Sequence, residues 1–305
     1  MKAIDRRQAM LLVAAVAAGC SPSFATEGEK PPLAALGGFD CSDVTVKRGK
    51  EREHEGLSST DILRASSVLA GTPLYCGRYF SGTTQSQTLC QSDDIAVLER
   101  FEIPLLLIAR QTTQVVKADA KLAYQQAHMN VSEFLRIFRS ARHGATIISQ
   151  LKDDQAKYPD RAVRFYLDVE PYHPLNAEYY SGWIEGLKDA GFKAGVDFIP
   201  AVYAPEGDQA TLDVLNNAVQ KNSGNCSGLW IARYDFGERA RALGCRSMSL
   251  EQTLPISTNT EIPVLLHQYA ECDERIDISY LTDSSKDSAV AFFHTLVRTW
   301  VLTKS

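Results

Sequence analysis

Val163-Arg164-Phe165-Tyr166-Leu167-Asp168-Val169-Glu170-Pro171 is the stretch on which the fold turns. It is apolar with few interruptions until its acids, as a strand covered on both faces reads. Side chains alternate along a strand, so Asp168 and Glu170 share one face and Leu167 and Val169 the other. At about 3.3 Å per residue their Cα atoms lie roughly 6.6 Å apart. Pro171 ends the run, because proline cannot donate to a ladder.

Working outward, seven further runs have strand character: Gly38-Asp40, Leu74-Phe80, Leu105-Ala109, Phe198-Tyr203, Leu229-Tyr234, Val264-Tyr269 and Ile276-Tyr280. Helical spacing separates them. Val131, Phe134, Leu135 and Phe138 recur at helical intervals, as do Tyr180, Trp183, Ile184 and Leu187, with Gly191 placed to end that second helix. The stretch Lys286 to Val301 reads as a last amphipathic helix. Strands alternating with helices predict a parallel sheet, and eight strands close. The expected fold is therefore α/β, a (β/α)8 TIM-like barrel forming one domain over residues 37–305. An open doubly wound sheet is the alternative, but no glycine-rich phosphate loop follows the first strand. Two connections are long: residues 43–58 and 110–130, both after strands. They either border a groove or are surface insertions.

A chain of 305 residues with 45% hydrophobic and 23% charged residues suffices for such a barrel. The net charge of -5, without a basic aromatic stripe, argues against a nucleic-acid partner. Residues 1–19 read as an export signal: Lys2, Arg6 and Arg7 precede the apolar run Ala9 to Ala18, too short for a membrane span. The Arg6-Arg7 pair resembles a twin-arginine signal; a general secretory signal is the alternative. Ala17-Ala18-Gly19-Cys20 resembles a lipobox, which makes Cys20 the lipidated residue and residues 20–36 a tether. Ser23-Phe24-Ala25 offers the competing cleavage site. The lipoprotein reading is preferred, giving a periplasmic or membrane-anchored protein that touches the membrane through its lipid alone.

With Cys20 lipidated, Cys41, Cys76, Cys90, Cys226, Cys245 and Cys272 remain, an even set suited to disulfides in an oxidising compartment. A bridge between Cys226 and Cys245 would staple the loop after the sixth strand. No Cys/His spacing suits a metal, and no cofactor is expected.

The chemistry gathers at strand ends. Two carboxylates in a partly dry cleft cannot both ionise at their free pKa values, and one becomes a proton donor near neutrality. Glycosidic bond cleavage needs that arrangement. Asp40, Asp235 and Asp277 sit near other strand termini. Tyr79, Tyr203, Tyr234 and Tyr269 also fall at strand ends, where they either pack or stack on sugar rings. No GxSxG or reactive-cysteine context supports a nucleophilic serine or cysteine hydrolase. His173 is the one histidine beside the acidic motif.

GGFDCS (37–42), FYLDVE (165–170), FIPAVYA (198–204), LWIARYD (229–235), LLHQY (265–269) and RIDIS (275–279) occur in this order. The series resembles glycoside hydrolase family 25, the muramidases that cut peptidoglycan. It looks closer still to a related glycoside-hydrolase-like family, domain of unknown function 1906, which GRYF (77–80) also resembles. The resemblance implies that Glu170 is the general acid, Asp168 its partner, and Asp40 and Asp277 further acids of a catalytic set. Tyr79, Tyr203, Tyr234, Asp235 and Tyr269 would then contact substrate. The chain departs from the muramidases after strand one, at Cys41-Ser42-Asp43, and after Tyr269, at Ala270-Glu271-Cys272-Asp273. The expected function is a cell-envelope glycoside hydrolase acting on peptidoglycan or a related polysaccharide. The alternative is a non-catalytic glycan-binding barrel.

Overall fold

Each of the eight runs forms a strand, and the eight close on one another in the computed structural model. The structure describes residues 37–41, 44–48, 51–69, 71–81, 90–110, 113–221, 226–232, 260–271, 276–283 and 286–302. The expected signal and tether, Cys20, Tyr234, Asp235, Cys245 and Cys272 lie outside these residues. In chain order the elements are β1 (Gly37–Cys41), β2 (Val44–Arg48), β3 (Glu51–Glu55), α1 (Ser59–Leu69), β4 (Cys76–Phe80), α2 (Ser92–Phe101), β5 (Leu105–Arg110), α3 (Ala120–Ser140) and α4 (Gly144–Lys157). They continue with β6 (Val163–Asp168), α5 (Ala177–Ala194), β7 (Phe198–Pro205), α6 (Gln209–Gln220), β8 (Leu229–Ala232), β9 (Val264–Glu271), β10 (Ile276–Leu281) and α7 (Lys286–Phe293). The barrel order is β1-β10-β9-β8-β7-β6-β5-β4, and β2 pairs with β3 in a separate ribbon.

The sheet departs from the all-parallel expectation at one strand. β10 runs antiparallel to both neighbours, β9 and β1. Residues 272–275 alone join β9 to β10, and a parallel crossover needs about a dozen residues or more. The reversal matters for the site. Asp277 is the second residue of β10, and in a parallel strand it would sit at the wrong end of the barrel. Run backwards, β10 sets Asp277 opposite Asp40 near the C-terminal end of β1.

Strand alternation divides the core into two layers. Phe165 and Leu167 point outward, where Phe165 meets Trp183 of α5 edge-on at 6.4 Å and Phe80 at 5.9 Å. Tyr166 points inward, into a cluster with Tyr75, Leu106, Ile108, Trp230 and Leu266. Trp230 is its hub, with Tyr203 at 5.1 Å, Tyr166 at 5.7 Å and Tyr75 at 6.4 Å, all near-perpendicular. Its indole N–H donates to Ser279 Oγ at 3.0 Å, so the large polar ring is buried without an unmet donor.

Three local expectations are corrected. Residues 43–58 include the β2–β3 ribbon, and residues 120–130 are the first half of α3, capped by Asp119 accepting from Leu122 N–H at 2.9 Å. α5 continues past Gly191 to Ala194 and stops at Gly195, whose φ of 65° suits glycine. The final helix ends at Phe293 instead of Val301. Beyond it Thr295, Val297, Thr299 and Val301 alternate, and β-branched residues in that pattern favour extended backbone. This tail closes the bottom of the barrel. Leu105 and Val297 exchange backbone bonds of 2.8 and 2.9 Å, Arg164 N–H donates to Thr295 O at 2.9 Å, and Phe292 packs on Tyr75 at 5.6 Å. Cys226 is a buried free thiol hydrogen-bonded to Gly228 O, and Cys245, its expected partner, lies outside the described residues.

Candidate active site

Asp168 is the last residue of β6, in register with Arg110 on β5 and Tyr203 on β7. It is 1% exposed, and neither carboxylate oxygen has a hydrogen-bond partner. Burial pushes its pKa well above the ordinary carboxylate range. The charges of Glu170 and Asp40 push the same way, against Arg110. The carboxyl group is therefore biased toward its neutral form.

Asp40 on β1 is equally buried. Its Oδ2 accepts the Tyr79 phenol at 2.8 Å, while Oδ1 has no partner. Its pKa is pushed up from 3.8 to about 7, chiefly by burial; the Tyr79 bond opposes the shift and Glu170 adds to it. Tyr79 feels Asp40, Asp168 and Asp277 together, and with burial these raise its pKa well above 10. It stays a neutral phenol, fit to donate. Tyr79 thus faces the acids, with the Arg110 guanidinium 5.7 Å from its ring centre.

Glu170 lies two residues past the end of β6, half-buried. The strand stops at Asp168 rather than running through Glu170, although Val169 N–H still donates to Tyr203 O at 2.9 Å. Glu170 nevertheless acts electrostatically on both Asp40 and Asp168, so the three carboxyls form one group. Asp277, half-buried on β10, faces the same cluster through its effect on Tyr79. Tyr203, 5% exposed and beside Asp168 in the ladder, packs on Trp230. Tyr269 lies on β9, opposite no acid of the set, and its backbone alone is described.

Several contributing residues were not anticipated. Gly77 lies opposite Asp40, and a Cβ there would stand 2.8 Å from that of Asp40, so glycine lets the acid sit against β4. Arg110 was one residue beyond the expected strand, yet alternation from Ile108 points it to the same interior. Gln268 on β9 is 6% exposed with Oε1 unpartnered. Behind the site, buried Arg78 bonds Asp94 through Nη2 at 2.8 Å and also donates to Cys41 O. Asp94 in turn accepts from Leu57 N–H at 2.7 Å and Gln91 N–H at 2.9 Å. This network ties the chain on both sides of the β2–β3 ribbon to α2, holding β1 and Asp40 in place. Among the described residues no group of three or more His, Cys, Asp or Glu is arranged to hold a metal ion.

Unmatched acceptors on Asp40, Asp168 and Gln268 cost free energy when buried. They constitute a preorganised demand for donors or protons at the mouth, where barrels of this class carry their chemistry.

No family model matches the chain, and no curated protein matches it. Among solved structures, an uncharacterized B. stearothermophilus protein is similar at 15% identity and a TM-score of 0.52, over 86% of this chain and 99% of that one. The catalytic domain of endolysin ply40 from bacteriophage P40 of Listeria monocytogenes matches at 15% identity and a TM-score of 0.41, over 75% of this chain and 90% of its own. The Mycobacterium tuberculosis Tat-secreted protein Rv2525c, in complex with HEPES, matches at 13% identity and 0.41, over 82% and 96%. The first of these likenesses is one of fold: this chain is a TIM-like α/β barrel.

Proposed function

We propose that this protein is an exported glycoside hydrolase that cuts peptidoglycan or a related cell-envelope polysaccharide by carboxylate acid/base chemistry. The observation that carries the reading is Asp168: a buried carboxyl with unmatched oxygens, pushed toward its neutral form beside Glu170 and a second raised acid, Asp40. Such a cluster holds a transferable proton near neutral pH, and its protons belong to the group rather than to one member. Glu170, the most accessible of the three, delivers a proton to the leaving oxygen. As the shared proton leaves through Glu170, Asp168 is left as the carboxylate that supports the positive charge developing at the sugar carbon, directly or by orienting the substrate's own acetamido group. Tyr79, Asp40 and Asp277 hold that pair in register. No cofactor takes part in this scheme.

A non-catalytic glycan-binding barrel is the second reading. It is favoured by the 1% exposure of both Asp40 and Asp168, which leaves them little direct access to substrate. Release of reducing ends from purified sacculi separates the two. Under the hydrolase reading Glu170→Gln keeps shape but removes the donated proton, so kcat falls by about 10²- to 10⁴-fold while binding survives. Wild type that binds sacculi without releasing reducing ends makes the protein a binder. Equal rates for wild type and Glu170→Gln would mean that another group donates the proton.

A further inference from the structure

Tyr172 stands two residues beyond Glu170 and is 99% exposed. Its backbone is left-handed, with a φ of 66°. A bulky side chain rarely adopts that conformation, because its Cβ crowds the backbone. The other non-glycine residue with positive φ among the described residues, Glu102, is the C-cap of α2, and its N–H bonds Glu99 O and Leu98 O. Tyr172 ends no helix. It sits in a turn fixed by Pro171, by His173 N–H donating to Glu170 O at 3.2 Å, and by the His173 ring bonding Pro171 O through Nδ1 at 3.1 Å. Phe192, at 86% exposure, lies on the outer turn of α5 with ordinary helical backbone, as scattered surface apolar residues commonly do. Tyr172 differs in combining exposure, backbone strain, a rigid support and a position at the acid cluster. Folding gains little from an aromatic ring held out in water, and the strain counts against it. Strain of this kind persists where a site uses it.

We propose that Tyr172 is a fixed aromatic platform on which a pyranose ring of the glycan stacks, next to the bond that Glu170 addresses. The proposal rests on reading this mouth as a glycan site. The flat apolar face of a sugar ring suits a phenol face, and a ring already held in place loses little freedom on binding.

The test compares the full chain with Tyr172→Ala, Tyr172→Gly, Tyr172→Phe and Tyr172→Trp. The readouts are affinity for soluble N-acetylglucosamine oligomers, retention on purified sacculi and Tm. The platform predicts that Ala and Gly weaken binding roughly tenfold, while Phe and Trp stay within about twofold of wild type. Glycine also relieves the strain, so Tyr172→Gly keeps or raises Tm while it loses binding. A structural residue would lose both together. Glycine or alanine variants that bind like wild type overturn the proposal, as does a fall in Tm that accompanies the lost binding, or wild type that binds neither probe. If wild type binds through Tyr172 but releases no reducing ends, the hydrolase reading falls and the platform stands.

Discussion

At the scale of single residues, the site is a set of acids held where acids are unstable. Burial pushes the Asp40 carboxyl up from its ordinary 3.8 to about 7. Between those two values the folded protein holds a proton there that the unfolded chain has already released. Raising the pH through that window therefore costs folding free energy, and the penalty is complete only above the folded value. An isosteric Asp40→Asn variant carries no such charge, and its amide oxygen still accepts from Tyr79. It should match wild type in Tm near pH 4 and exceed it near pH 8, by on the order of 1–4 kcal/mol of stability. Thermal melts across pH 4–8 check this; a difference that is constant with pH would mean that Asp40 is not the titrating group. The expected outcome also pairs higher stability with lower turnover, as strained sites trade one for the other. Of these residues, Asp168, Glu170 and Asp40 were legible from alternation and position at strand ends. Arg110 was within reach of the same rule. Gly77 and Gln268 were not, because their importance lies in what stands opposite them, which no spacing along one strand reveals.

At the scale of elements, α3 and α5 form the most intimate pair outside the barrel, and glycines make it so. A Cβ at Gly182 would stand 2.1 Å from Ala120 O, and one at Gly186 would stand 2.4 Å from Tyr124 O. Both contacts are with backbone, which cannot rotate away. Helix propensity favours alanine over glycine by about 1 kcal/mol, so a freely exposed helix would gain from Gly182→Ala. Here overpacking wins, and Gly182→Ala should destabilise by roughly 1–3 kcal/mol in denaturant titration. Gly71→Ala is the matched control: a Cβ there meets nothing within 4 Å, and its effect should be small. A neutral Gly182→Ala would show that the helices can separate without cost. Apolar runs made several of the eight barrel strands readable, because strands buried on both faces have few other compositions. Direction was less visible. The short spacing from Tyr269 to Ile276 held the clue that β10 reverses, and the strand count alone concealed it. The β2–β3 ribbon, with Lys47, Arg48, Glu51, Arg52, Glu53 and Glu55 in its strands, lacks the apolar run by which the others were recognised.

At the scale of the whole molecule, the barrel has two unlike ends. Its bottom is closed by Phe292, Leu296 and the tail that pairs Val297 with Leu105. Its mouth carries Asp40, Asp168 and Glu170. Gly37 begins β1 at the bottom, the end opposite the acids. A lipid on Cys20 would tie the chain to a membrane from the side of its N-terminus. Among the described residues no helix is long and apolar enough to cross a membrane. If Cys20 carries a lipid, wild type fractionates with membranes, and Cys20→Ala releases an intact barrel that still binds sacculi. The binding arm matters, because it separates lost anchoring from lost folding. Wild type that is already soluble with Thr26 at its N-terminus would mean cleavage after Ala25 and no anchor. The mouth would then find the glycan by diffusion, with Tyr172 and the acid cluster unchanged.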